Sequence, residues 1–141
     1  VPGAVVLELT ERMLLQHQDR ALDLMARLKS LGIDLAIDDF GTGYSSLSHL
    51  QRLPIDVLKI DRTFVDAIAS DEHASTLART VVSLGQLMSL DIVAEGIENQ
   101  EQAERLRELG VNAGQGYLFG RPMAAADLPG YAERYRTFTA V

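Results

Sequence analysis

Cysteine is absent from the 141 residues. That excludes a disulfide framework and any thiolate metal centre, and it makes a reducing, cytoplasmic setting the expectation. Long apolar runs are absent too. None approaches the roughly 18 residues that a membrane-spanning helix requires. No basic segment precedes an apolar stretch at the N-terminus, so neither a secretory signal nor membrane contact is expected of this segment. Basic residues are scarce: Lys and Arg number 13 against 20 Asp and Glu, for a formal net charge of -7. An acidic surface repels phosphate backbones, which argues against binding polymeric nucleic acid through a basic footprint. An anionic substrate would need local positive charge, most simply from bound metal ions. Linkers, low-complexity tracts and close repeats are missing, as is an initiating methionine. Val1 leads almost at once into an apolar stretch, which predicts a cut chain.

What is present suits one globular domain, with 47% hydrophobic residues. Short apolar runs alternate with helical spacing. "AVVLEL" (4–9), "IDLAID" (33–38), "DVLKID" (56–61) and "IVAE" (92–95) predict buried strands, and "GQGYLF" (114–119) holds a short fifth. Ala21, Leu24, Met25, Leu28 and Leu31 follow helical spacing, with Gly32 placed as a C-terminal cap. Leu47, Leu50 and Leu53 predict a short helix stopped by Pro54, and Leu77, Val81, Leu84 and Met88 a long one. The segment 99–110 opens with Asn99 and Gln102 at capping-box spacing and closes on Gly110, and 127–136 predicts a last helix. Such alternation implies parallel strands with helical crossovers, either an open doubly wound sheet or a barrel.

The polar residues at the strand ends separate the two architectures. The first strand offers Glu8 and Glu11, the second Asp38 and Asp39, the third Lys59 and Asp61, the fourth Glu95 and Glu98, the fifth Gln115. A barrel gathers groups from the ends of many strands, whereas an open sheet gathers them at one switch point. The distribution therefore predicts an α/β barrel. Converging carboxylates repel unless cations lie between them, and hard oxygen donors suit Mg²⁺ or Mn²⁺. Adjacent Asp38 and Asp39 suit a pair in which one bridges two metals and the other holds the second. Two metals roughly 3.5–4 Å apart activate water and clamp a phosphodiester. Lys59 adds a fixed positive charge, and Gly41 and Gly43 give the following loop freedom to adjust. Each residue alone has an ordinary use, as a helix-terminus acid, an N-cap, an ion-pair partner or a turn acid. The set is harder to explain that way. His17, His49 and His73 lie on expected helices, away from the strand ends, and no catalysis is assigned to them.

The stretches "LELTE", "DDFGTGYSSLSHLQRLPIDVLKID", "VAEGIEN" and "GQGYLFGRPM" resemble the EAL-domain family of cyclic di-GMP phosphodiesterases over nearly the whole chain. The resemblance implies a TIM-type (β/α) barrel and hydrolysis of cyclic di-GMP to linear pGpG with two Mg²⁺ or Mn²⁺ ions. By motif position, Glu8, Asp38 and Asp39 look like metal ligands, with Asp38 shared. Lys59 resembles the lysine that positions the water, and Glu95 the catalytic glutamate, as base or metal ligand. Gln115 matches the glutamine near that water. Glu11 looks like the glutamate steadying the loop after Asp39, and Glu98 like a supporting or substrate-side acid. Phe40, Gly41, Thr42, Gly43 and Tyr44 are expected in the active-site loop. A homodimer through the region near that loop is a further implication.

The Glu-Ala-Leu segment that names the family, and the asparagine that follows it as a metal ligand, are absent. A TIM barrel takes about 250 residues and eight strands. Residues 1–141 are thus expected to be the C-terminal part of one such domain, the last five strand-helix units, without the two upstream metal ligands. An EAL-like receptor that binds cyclic di-GMP without cleaving it, and a non-catalytic interaction domain, are the competing readings. With the resemblance set aside, acids and a lysine at barrel-strand ends also suit enolase-type Mg²⁺ chemistry. The adjacent aspartates favour the two-metal phosphodiester site.

Overall fold

The computed structural model describes residues 5–10, 18–40, 50–70 and 72–135. Among them five strands form one parallel sheet in sequential order: β1 (Val6–Thr10), β2 (Asp34–Phe40), β3 (Val57–Ile60), β4 (Asp91–Ala94) and β5 (Ala113–Gly114). A doubly wound sheet reverses its strand order at a switch point. Here each strand lies beside its predecessor, which is the order of a barrel wall. The helices are α1 (Gln18–Ser30), α2 (Arg62–Ser70), α3 (Glu72–Leu87), α4 (Gln100–Glu108) and α5 (Leu128–Tyr135), the last preceded by a 3₁₀ turn at Ala125–Asp127. Of the described helices, none is long and apolar enough to cross a membrane.

Alternation along the strands divides the sheet into two faces. Leu35, Ile37, Leu58, Ile60, Ile92 and Ala94 are almost fully buried, in one cluster with Met25 of α1, Val65 and Ile68 of α2, Val82 of α3 and Leu106 of α4. This helix-covered face forms the hydrophobic core. The opposite face carries the polar residues.

Polar contacts fix the helix ends. Lys29, in the last turn of α1, pairs with Asp34 at 3.1 Å and Asp56 at 2.6 Å, and Asp56 also accepts from the Leu35 N–H at 2.9 Å. One lysine thereby ties α1 to the starts of β2 and β3. Gly32 and Gly110 have φ of 77° and 83°, as expected of glycines that end helices. The Asn99–Gln102 capping box of α4 is present in both directions.

Three sequence expectations change. α2 was not foreseen: its nine residues follow β3 directly, and Asp61 accepts from the Thr63 N–H at 2.9 Å and from its hydroxyl. Asp61 is therefore the N-cap of α2. The fifth strand is limited to Ala113–Gly114, and residues 117–119 turn instead. Phe40 belongs to β2, not to the loop after it, and is 9% exposed in the core. Of the short helix expected around Leu47–Leu53, only the end at Leu50 is described, and Leu50 and Leu53 are buried.

Candidate active site at the strand ends

Strand register brings the polar residues together. Glu8 is paired with Ala36, Ala36 with Val57, Val57 with Asp91, and Val93 with Ala113. Paired residues of parallel strands share a face, and steps of two keep to it. Asp38, Lys59, Glu95 and Gln115 therefore fall on the face of Glu8. Backbone bonds carry the ladder past the assigned strand ends, from the Glu95 N–H to Ile60 O at 3.0 Å and from the Gln115 N–H to Ala94 O at 2.9 Å.

The paired aspartates coincide with an irregularity. Ile37 pairs with Leu58 but Phe40 with Ile60, so β2 has one residue more than β3 across this interval. Asp38 and Asp39 together oppose Lys59, as in a β-bulge. The extra residue resets the alternation. Phe40 joins Ile37 on the core side although three positions separate them, and this is why it leaves the expected loop.

Lys59 is the centre of the cluster. Its side chain is 7% exposed, and its ammonium lies 2.7 Å from Glu8 Oε1, 3.3 Å from Asp38 Oδ1 and in contact with Glu95 Oε1. Burial works against the charged lysine, but hydrogen bonds to Glu8 and Glu95 and the charges of Glu95 and Asp38 outweigh it. The ammonium is thus held above the ordinary lysine value. Gln115 Nε2 donates to Glu95 Oε1 at 2.9 Å.

Glu8, Asp38, Lys59, Glu95 and Gln115 are thus brought together. Glu98 is not part of this group; it pairs with Arg62 at 2.9 Å. Asp39 lies in β2, and nothing further is described of its side chain. Glu11, Gly41, Thr42, Gly43 and Tyr44, like His17 and His49, lie outside the described residues.

The donor set fits a hard divalent cation in chemistry and charge. Glu8, Asp38 and Glu95 bring three carboxylates to one ammonium, an excess of two negative charges. Among the described residues the acids meet around Lys59, and no group of three His, Asp or Glu is arranged to hold a metal by itself. Carboxylate oxygens are the ligands that Mg²⁺ and Mn²⁺ prefer.

A cavity of about 680 Å³ adjoins the cluster, bounded by Glu95 and Gln115 on one side and by Arg62, Tyr117, Arg121 and Met123 on others. The Arg121 guanidinium lies 4.4 Å from the centre of the Tyr117 ring. Cationic, aromatic and acidic groups thus border one space within the size range of small-molecule sites. Arg62, Tyr117 and Arg121 are not among the residues expected at the site from the sequence. Tyr117 and Arg121 stand inside the "GQGYLFGRPM" stretch, and Arg62 follows "LKID", so proximity to recognised motifs was the signal available.

The EAL domain family model matches residues 1–122. A bifunctional diguanylate cyclase/cyclic di-GMP phosphodiesterase, MucR of Pseudomonas aeruginosa, is 45% identical over 127 residues, 90% of this chain and 18% of MucR. Of the solved structures, the PaMucR phosphodiesterase in complex with c-di-GMP superposes with a TM-score of 0.84 at 45% identity, over 90% of this chain and 51% of that one. The EAL domain of Mycobacterium smegmatis DcpA gives a TM-score of 0.87 at 36% identity over 95% and 60%. Klebsiella pneumoniae BlrP1, solved as a manganese/cy-diGMP complex, gives 0.78 at 36% identity over 86% and 31%. The chain spans less than a fifth of the curated relative MucR and about half of the solved PaMucR chain.

Proposed function

The chain belongs to the EAL-domain family, and from that premise we propose that it forms the C-terminal part of a domain that hydrolyses cyclic di-GMP to linear pGpG with Mg²⁺ or Mn²⁺. The observation that carries the reading is the meeting of Glu8, Asp38 and Glu95 around Lys59, with Gln115 on Glu95. The length matched in the DcpA EAL domain, 60%, supports a domain completed by further strands.

Glu8, Asp38 and Asp39 are the residues that would hold the cations. A pair of divalent ions held there would supply an activated water and would neutralise charge at the phosphodiester. Lys59 stays protonated against its carboxylate partners and orients the water or offsets charge on phosphorus. Glu95 receives the water's proton, and Gln115 fixes the carboxylate through Oε1. The water oxygen bonds to phosphorus, the bond from phosphorus to the 3′-oxygen breaks, and that oxygen leaves as a hydroxyl after taking up a proton. The product is linear pGpG.

The cavity suits the rest of the ligand. Tyr117 and Met123 offer apolar surface to a base, and Arg121 offers charge to phosphate oxygens. Incubating the full-length protein with cyclic di-GMP and following the products by chromatography tests the reading. pGpG that forms with Mg²⁺ or Mn²⁺ and not in EDTA is expected. Cyclic di-GMP bound but left intact with either metal contradicts it and favours a receptor.

A further inference from the structure

Four residues close into a ring beside the site, through the side chains of Arg62, Asp66 and Gln102 and both the side chain and the backbone N–H of Glu98. Arg62 Nη2 pairs with Glu98 Oε1 at 2.9 Å, and Arg62 Nε donates to Asp66 Oδ2 at 3.2 Å. Gln102 Nε2 donates to Asp66 Oδ1 at 3.1 Å, while Gln102 Oε1 accepts from the N–H of Glu98 at 2.8 Å and of Asn99 at 3.2 Å. Among the described residues only Lys59 and Gln102 are buried polar side chains.

The capping box explains half of this. An N3 side chain serves the cap through its acceptor oxygen, and glutamate does so as well as glutamine. The cap leaves the amide Nε2 to spare, and here it reaches Asp66 on α2. Arg62 closes the ring and also lies across Gly96. A Cβ at Gly96 would fall 2.7 Å from Arg62 Cγ, and Gly96 has φ of +75°. The segment after β4 is therefore held along its length. The Glu95 N–H bonds to Ile60 O, the Ile97 N–H to Gln115 O, and the Glu98 and Asn99 N–H groups to Gln102.

We propose that Gln102 and Arg62 are positioning residues for Glu95. The ring holds the Glu95–Asn99 segment against α2, and this keeps the Glu95 carboxylate on Lys59 and Gln115. Neither residue touches the reacting atoms in this role. The inference rests on the phosphodiesterase reading and names what keeps its base in place.

The test compares the full-length protein with Gln102→Glu and Arg62→Lys. Gln102→Glu keeps the acceptor for the Glu98 and Asn99 N–H groups, and with it the helix cap. It removes the donor to Asp66 and sets a like charge opposite it. Arg62→Lys keeps the charge but presents one nitrogen where the fork served two carboxylates. For Gln102→Glu, kcat on cyclic di-GMP falls about tenfold or more, since a displacement of about 1 Å costs up to about 100-fold. KM stays within about twofold, the thermal midpoint falls but stays above the assay temperature, since a like charge is set against Asp66 in a buried place, and amide exchange at Ile97 quickens. Arg62→Lys gives a smaller loss than Arg62→Met. Unchanged kcat in Gln102→Glu, beside an active wild type, overturns the inference and leaves the phosphodiesterase reading standing. Losses explained wholly by less folded protein also overturn it. A wild type with no turnover removes that reading, and the inference with it.

Discussion

Gln115 Nε2 donates a 2.9 Å hydrogen bond to Glu95 Oε1, the same oxygen that contacts the Lys59 ammonium. Two donors from β3 and the end of β5 thus converge on one carboxylate oxygen from the end of β4. That geometry fixes the orientation of the carboxylate. Gln115→Glu would replace the donor with a like charge. Turnover of cyclic di-GMP at neutral pH is expected to fall at least about 100-fold, on the scale of general-base catalysis. Steady-state kinetics with circular dichroism as the folding control checks this.

Lys59→Met removes the cation from the centre of the cluster. Glu8, Asp38 and Glu95 then face one another uncompensated. In EDTA the variant loses about 2 kcal/mol, less than the roughly 3–5 kcal/mol of a fully buried pair because the Glu8 side chain is 52% exposed. Lys59 titrates above its ordinary 10.5 in the folded protein, so its contribution is fully present below that pH and is lost as pH rises through the higher folded value. Added Mn²⁺ should recover more stability in the variant than in wild type, since it replaces the missing cation. Melting curves with and without Mn²⁺ decide it, and an equal shift in both proteins counts against carboxylates that accept metal.

Asp61 caps α2 and does not join the cluster. The Thr63 hydroxyl lowers its pKa below 3.8; burial opposes this, and the Thr63 and Arg62 N–H groups add to the lowering. Its stabilisation is present above 3.8 and is lost as pH falls through the lower folded value. Asp61→Ala should cost about 1 kcal/mol at pH 7, with the difference from wild type closing in strong acid. Urea titrations across that range measure it.

Gly96→Ala meets two obstacles. Its φ of +75° belongs to the left-handed region, and the new Cβ would strike the Arg62 stem. A loss of about 2 kcal/mol or more is expected. Displacing Arg62 relieves only the contact. Adding Arg62→Ala should therefore recover part of the loss while the backbone term remains, and a double-mutant cycle by chemical denaturation separates the two.

Much of the site was legible because strand periodicity fixes which residues share a face. Glu8, Asp38, Lys59, Glu95 and Gln115 sit at strand ends, and parallel pairing carries that order into space. The caps at Gly32, Asn99 and Gly110 were legible for a similar reason, since each depends on a few neighbouring residues. The bulge at Asp38–Asp39 was not, because a register shift exists only relative to the partner strand. Phe40 was misplaced for that reason. α2 was missed because its nine residues give only Phe64, Val65 and Ile68 as an apolar stripe, directly after a strand. Gln102 was read as a cap alone, since its second partner, Asp66, lies 36 positions away.

The most direct measurement is the rate of pGpG formation against Mn²⁺ concentration for the full-length protein and its Asp38→Asn variant. The account predicts a wild type inactive without metal and saturable with it. It predicts a variant that needs at least about tenfold more Mn²⁺ and stays slower at saturation, since loss of even a supporting partner costs about 10–100-fold in affinity or activity. Identical metal dependence in both proteins, or hydrolysis undiminished in EDTA, would contradict the claim that these strand-end carboxylates form a metal-dependent phosphodiesterase site.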